Sequence, residues 1–359
     1  MTVDDLSERE LIARIRSKLP PAPPWLLVGV GDDAAVVEPE RNRVDVLSVD
    51  ALVDGVHFDR AFVPPDAIGH RALAVNLSDL AAMGAAPRLA LLSMVLPASL
   101  PIADFDGIVS GFLALACAHR LHVAGGNLTR TPGPLTIDVT VLGTVKRRQA
   151  LTRSGARPGD ELYVSGSIGS AAAGRAVASR RSAVASLDGL ETGDRRLVTA
   201  YLRPVPRVRL GTLLSRSRAA AACVDLSDGL ADGAHRIAEA SGVGIRVDAE
   251  ALPIDPAART LFESQGMDAV DVLHTAITGG DDYELLFTVR PRTRRRLRAA
   301  TSHGDAPLTR VGVCTEERGV MLQRGGVGTP MPAGYEHFRS AKASRSDVAT
   351  EREPSGERS

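Results

Sequence analysis

Cysteine is scarce in this 359-residue chain, and the three present, Cys117, Cys223 and Cys314, lie far apart. Such spacing excludes paired-cysteine zinc sites and fits a reducing, cytoplasmic compartment in which the thiols pack in the core. Neither sign of charge is in excess, since Lys plus Arg and Asp plus Glu each number 43. Without a broad basic field, nucleic acid and anionic membranes are excluded as partners held by bulk charge. No apolar run is long enough to span a membrane, because Asp79 and Arg88 interrupt the longest one. Residues 1–16 are acidic and amphipathic, unlike a secretory leader. Gly-x-x-x-x-Gly-Lys-Ser/Thr is missing, as is Gly-x-Gly-x-x-Gly at a strand-to-helix turn, so a glycine loop does not lead any phosphate site here.

What the chain does have is carboxylates in short clusters, most of them following apolar runs: Gly31-Asp32-Asp33, Ser48-Val49-Asp50, Asn76-Leu77-Ser78-Asp79-Leu80, Asp225-Leu226-Ser227-Asp228-Gly229 and Gly279-Gly280-Asp281-Asp282-Tyr283-Glu284. Any one of these reads equally well as a turn or a helix cap. Their recurrence at the ends of predicted buried segments does not, because gathered carboxylates stay ionised only with cations between them. Mg2+ is the hard cation that takes such oxygens and carries phosphates as further ligands. The pattern therefore implies a metal-laden polyphosphate site.

Length and composition imply two domains, which we place at 1–148 and 149–338, followed by a disordered tail at 339–359 that is nearly free of apolar residues. Helices are expected at 7–18, where Ser7 and Glu10 form a capping box, at 68–83 and at about 105–120. Strands are expected at 26–30, 44–49, 89–96, 135–145, 162–165 and 284–289. The segment 221–247 reads as strand, acidic turn, helix, strand. Gly125-Gly126-Asn127 and Gly279-Gly280-Asp281 each read either as a plain turn or as a side-chain-free backbone that admits phosphate oxygens. Residues 188–196 read as a polar link between helices, and 292–298 as a solvated arginine face. The strings 74–81 and 223–231 both carry Leu-Ser-Asp after an apolar lead, which suggests two related acidic turns facing one cleft. His57 beside Asp50 reads either as a packing histidine or as a substrate contact, and Arg153 either as a loop arginine or as a phosphate clamp.

Several longer strings together resemble the thiamine-monophosphate kinase family: residues 29–36, 50–58, 72–85, 151–156, 280–287 and the closing Gly334-Tyr335-Glu336-His337-Phe338. The resemblance implies a two-domain α/β (α+β) synthetase-like fold, with an amino-terminal mixed sheet forming a barrel-like homodimer interface. It implies ATP-dependent phosphorylation of thiamine monophosphate to thiamine diphosphate, with several Mg2+ ions as cofactor. Carried over by residue, Asp33, Ser48, Val49 through its carbonyl, Asp50, Asp79, Asn127, Asp225 and Asp228 match metal positions. Asp79, Asp225 and Asp228 are the expected catalytic carboxylates. Gly126, Arg153 and Ser227 match nucleotide contacts, and His57, Asp281 and Tyr335 match contacts to the thiamine monophosphate. The family usually has Asp at Asn127 and Glu at Asp281. Because an acceptor phosphate is already ionised, the want of a Ser-His-Asp arrangement is no obstacle. The alternatives are another ATP-dependent enzyme of the same superfamily, or a non-catalytic nucleotide or thiamine-phosphate binding protein. A selenophosphate synthetase would need a reactive cysteine ahead of Cys117, and the hydrogenase maturation protein would need one at the carboxyl end, where Glu357-Arg358-Ser359 stands. Aminoimidazole ribonucleotide synthetase shares the fold but not the 76–85 string in this form.

Overall fold

A computed structural model describes residues 1–180 and 189–334. The expected closing motif with Tyr335, the tail and the start of the polar link at 188 lie outside the described residues. The first half runs α1 (Glu8–Lys18), β1 (Leu26–Val28), β2 (Val36–Val37), β3 (Arg43–Val53), α2 (Pro65–Ala82), β4 (Ala86–Pro97), α3 (Ile102–Ala118), β5 (His122–Thr131) and β6 (Thr136–Lys146). The second runs β7 (Glu161–Ser165), α4 (Ser170–Ala178), α5 (Thr192–Leu202), α6 (Val208–Ser217), β8 (Ala220–Asp225), α7 (Leu230–Ser241), β9 (Gly244–Asp248), α8 (Pro256–Ser264), α9 (Ala269–Thr278), β10 (Leu285–Val289), α10 (Arg298–His303), β11 (Leu308–Thr315), β12 (Gly319–Arg324) and β13 (Val327–Pro330).

Strands β3, β6, β4 and β5, in that order, form one mixed sheet, in which only β4 and β5 run parallel. The sheet is open, with β3 and β5 at its edges, and the described residues form no closed barrel. Its apolar positions alternate: Ile137, Val139 and Val141 of β6 turn inward onto α2 and α3, while Leu47 and Val49 of β3 and Leu91 of β4 face outward and are 66%, 58% and 37% exposed. The second sheet has seven strands in the order β13-β12-β9-β11-β7-β10-β8, antiparallel except for β12 beside β9.

Helix α2 is the hub. Nearly all of its residues are buried, because the first sheet, α3, α5, α6 and β8 surround it. It crosses α3 so closely that a Cβ at Gly69 would lie 1.8 Å from the Ile108 carbonyl oxygen. One apolar cluster runs from Leu73 and Leu77 through Val198, Leu210 and Leu214 to Phe287, so the two halves share a core through this helix.

The expected capping box of α1 is present, with the Ser7 N–H donating to Glu10 Oε2 at 2.8 Å. Three local expectations change. Gly125-Gly126-Asn127 is not a turn but the middle of β5, where a Cβ at Gly126 would lie 1.8 Å from the Leu92 carbonyl oxygen. That stretch lacks the apolar alternation of a strand because glycine is needed for the approach of β4. The described part of the polar link, from Thr192, belongs to α5, whose buried Leu197, Val198 and Tyr201 lie in its second half. The two Leu-Ser-Asp strings are not related turns: the first lies inside the last turns of α2, and the second straddles the end of β8.

Candidate active site

A cavity of about 890 Å³ opens between the two sheets. Alternation along β3 aims Ser48 and Asp50 inward while Val49 points its side chain outward, with its main chain at the rim. Helix α2 supplies Arg71 and Asp79, four residues short of its C-cap. From the second half come Arg153, Arg175 of α4, Asp225 at the end of β8, Ser227 and Asp228 in the following turn, Arg236 of α7, and Asp281 with Tyr283 after α9. His57 stands at the β3 end. A smaller arm of about 450 Å³ shares Ser48, Asp79, Arg153 and Asp225 and is further lined by the apolar Val46, Met83 and Val224 and the polar Thr152 and Ser154.

Hydrogen bonds hold these groups in place. Ser48 Oγ donates to Asp79. Ser78 Oγ donates to Asp225 Oδ2 at 2.8 Å, and Asn76 Oδ1 accepts the Asp50 N–H at 3.1 Å. Arg236 bridges Asp228, at 3.1 Å, and Asp232. The turn after β8 and the segment after α9 brace each other through main-chain bonds from Asp281 N–H to the Ser227 carbonyl and from Tyr283 N–H to the Leu226 carbonyl. His57 Nδ1 accepts the Val53 N–H at 3.0 Å, so the neutral ring carries its proton on Nε2.

The electrostatics are those of crowded acids. Burial, and then the Asp79, Asp225 and Asp228 carboxylates, pushes Asp50 well above the usual carboxylate range. Burial followed by Asp79 raises Asp225 as well, against the Ser78 hydroxyl, which lowers it. Among the described residues no three His, Cys, Asp or Glu side chains already converge as a finished ion site. The inventory nevertheless fits a hard cation, because Asp50, Asp79, Asp225, Asp228 and the Ser48 hydroxyl are among the groups lining one cavity and phosphate oxygens complete a Mg2+ shell.

The acidic cluster at 279–284 divides three ways. Asp281 reaches the cavity. Asp282 is half-buried and caps α4, accepting the Gly169 N–H at 2.7 Å and the Ala171 N–H at 3.1 Å. Glu284 lies 5% exposed beneath Arg207, whose Nε donates to it at 2.7 Å, and it also accepts from Ser165. Its place in the cluster is structural rather than chemical. Asp33 lies on an exposed loop, and Gly126 and Asn127 on β5, none of them at the wall of the large cavity. Asn127 pairs in register with Ser93, and Ser93 with Asp138, which sets it on the outward row of the first sheet. Sequence reasoning passed over Arg71, whose signal was a charge set between apolar residues on a buried helix, a placement that demands a partner.

The arrangement defines a class. Residues 31–145 match the AIR synthase related protein, N-terminal domain, and residues 157–324 the corresponding C-terminal domain. Within that class, the chain is 37% identical over 333 residues to the thiamine-monophosphate kinase of Salmonella typhimurium, covering 92% of this chain and 98% of the relative. The crystal structure of thiamine-monophosphate kinase from Stenotrophomonas maltophilia K279a is 38% identical, with a TM-score of 0.74 and coverage of 89% and 96% of the two chains. The structure described as AaThiL complexed with AMPPCP and TMP is 30% identical, with a TM-score of 0.72 and coverage of 94% and 99%. The chain belongs to the thiamine-monophosphate kinase family.

Proposed function

We propose that the protein transfers the terminal phosphoryl group of ATP to the phosphate of thiamine monophosphate, forming thiamine diphosphate. The observation that carries this reading is the single cavity in which Asp50, Asp79, Asp225 and Asp228 face Arg153 on one side and His57 and Asp281 on the other. Both reactants are polyanions, so the barrier lies in bringing them together rather than in making a nucleophile. The acceptor phosphate attacks in line, and no general base is required. Bound Mg2+ supplies neutralisation of the repelling phosphates and a template for the in-line geometry. Asp50, Asp79, Asp225 and Asp228 with Ser48 and the Val49 carbonyl would hold the ions; Arg153 and Ser227 hold the triphosphate; His57 and Asp281 orient the acceptor. The smaller arm, which meets the large cavity at Arg153 and Asp79, suits the nucleoside.

The halves 1–148 and 149–338 serve this as two domains around one cleft, and Tyr335 is a further contact to thiamine monophosphate. The outward face of the first sheet, with Leu47, Val49 and Leu91 exposed, suits a second copy of the chain. A homodimer through that face would bring the outward row that carries Asn127 against the partner's surface. Incubating the purified protein with ATP, MgCl2 and thiamine monophosphate tests the reading. Appearance of thiamine diphosphate with ADP supports it, and binding of both reactants without product turns it into a non-catalytic binding protein.

A further inference from the structure

Arg71 is only 1% exposed although it lines the cavity. A guanidinium is too costly to bury as filling, and its contacts here are directed. Nη2 donates to Asp281 Oδ1 at 3.1 Å, Nη1 donates to the main-chain carbonyl of Tyr201, and the guanidinium carbon stands 4.6 Å from the centroid of the Tyr201 ring. Nε is buried and meets no acceptor among the described residues. The Tyr283 hydroxyl donates to the same Asp281 Oδ1 at 3.0 Å. Asp281 and Tyr283 both hold left-handed backbone conformations, with φ of 70° and 50°. Residues other than glycine keep such angles only where their surroundings impose them, most often at binding sites.

We infer that Arg71 is a positioning residue for the acceptor end of the cavity, acting through Asp281. The inference rests on Asp281 being an acceptor contact, as proposed above. Arg71 and Tyr283 both donate to one carboxylate oxygen, which fixes the plane of the group and commits the other oxygen to the bound molecule. Pairing with a buried cation also cancels most of the charge that Asp281 would present. The carboxylate therefore selects a neutral N–H donor on the acceptor, such as an aromatic amine, by geometry, and does little to attract a cationic ring. Because Arg71 comes from α2 and its partners Tyr201 and Asp281 from the other half, the contact also sets the acceptor end relative to the carboxylates of β3 and α2.

The test compares Arg71→Met, Arg71→Lys, Asp281→Asn and the Arg71→Met/Asp281→Asn double variant with the wild type, measuring kcat and the KM of each reactant. Arg71→Met is expected to raise KM for thiamine monophosphate about tenfold with the KM for ATP within about twofold of wild type. Arg71→Lys, which keeps a cation beside Asp281, recovers part of that loss. The double variant has the same KM for thiamine monophosphate as Asp281→Asn alone, since Arg71 has nothing left to orient. An equal rise in both KM values, or additive effects in the double variant, would make Arg71 a brace between the halves and overturn the inference. A crystal structure of Arg71→Met decides independently of turnover. Loss of the left-handed conformation at Asp281, or rotation of its carboxylate, supports the inference, and an unchanged Asp281 refutes it. Should the wild type make no thiamine diphosphate, the proposed function fails while that structure still answers for Arg71.

Discussion

The Ser78 hydroxyl donates a 2.8 Å hydrogen bond to Asp225, and both residues are buried. The bond joins the two Leu-Ser-Asp strings, one inside α2 and the other at the end of β8, and so ties carboxylates of both halves into one cluster. Ser78→Ala removes a donor that holds the Asp225 proton affinity down. Its loss should cost about 1–3 kcal/mol of stability, as expected when a buried acceptor loses its partner. Asp225 should then keep its proton to higher pH, moving the acidic limb of the kcat/KM profile upward. Thermal unfolding and a pH–rate profile of the variant check both effects.

Asp79→Asn tests the proposed chemistry more directly. Asp79 accepts from Ser48 and faces both Asp50 and Asp225, so the variant keeps shape and hydrogen bonding but removes one charge from the cluster. Turnover should fall by roughly 10²–10³, the scale of losing one preorganised electrostatic group, with an unchanged circular dichroism spectrum. Near-normal turnover would remove Asp79 from the catalytic set.

How far the sequence carried is visible in these acids. The apolar runs around Asp50, Asp79 and Asp225 predicted buried elements, and those three carboxylates do share a cavity with Asp228. The division of 279–284 was not legible, because partners such as Arg207 and the Gly169 N–H are remote in sequence. Strand β5 escaped notice for a related reason: Gly125 and Gly126 are dictated by the closeness of β4, a tertiary fact that erases the local strand pattern. Arg71 was hidden in the opposite way, since its helix was plain but its partners were over a hundred residues away.

Glu284 and Asp281 lie in one acidic cluster yet should answer differently to substitution. Glu284→Gln leaves Arg207 facing a neutral amide in a buried setting, and should destabilise by about 3–5 kcal/mol, the cost of breaking a buried ion pair. KM for either reactant in the surviving folded fraction should stay near wild type. Asp281→Asn also takes the charged partner from a buried arginine, Arg71, and so should lower the unfolding midpoint as well, but unlike Glu284→Gln it should raise KM for thiamine monophosphate. Unfolding curves beside initial-rate kinetics separate the two roles.

Three raised carboxylates should cost the protein stability as pH rises when divalent cations are absent. Burial pushes Asp282 up to about 7, and burial with neighbouring carboxylates raises Asp50 and Asp225. Each folded-state value exceeds the ordinary carboxylate value, so between about pH 4 and 7 these three groups bind more protons folded than unfolded, while His70, His119 and His122, lowered by burial, do the reverse below the ordinary histidine value. The stability these carboxylates confer is complete below the lower limit and is lost as pH climbs through the upper one. In EDTA these carboxylates should therefore pull the unfolding midpoint down between pH 5 and pH 8 relative to a variant that lacks one of them. Asp282→Asn cannot ionise and should show a shallower decrease, at some cost in overall stability because its amide accepts at one atom where the carboxylate used two. Adding MgCl2 with ATP should raise the midpoint more at pH 8 than at pH 5, since cations bind the ionised cluster. An Asp282→Asn midpoint that changes with pH in EDTA just as that of the wild type does would mean that Asp282 is not held above its ordinary value.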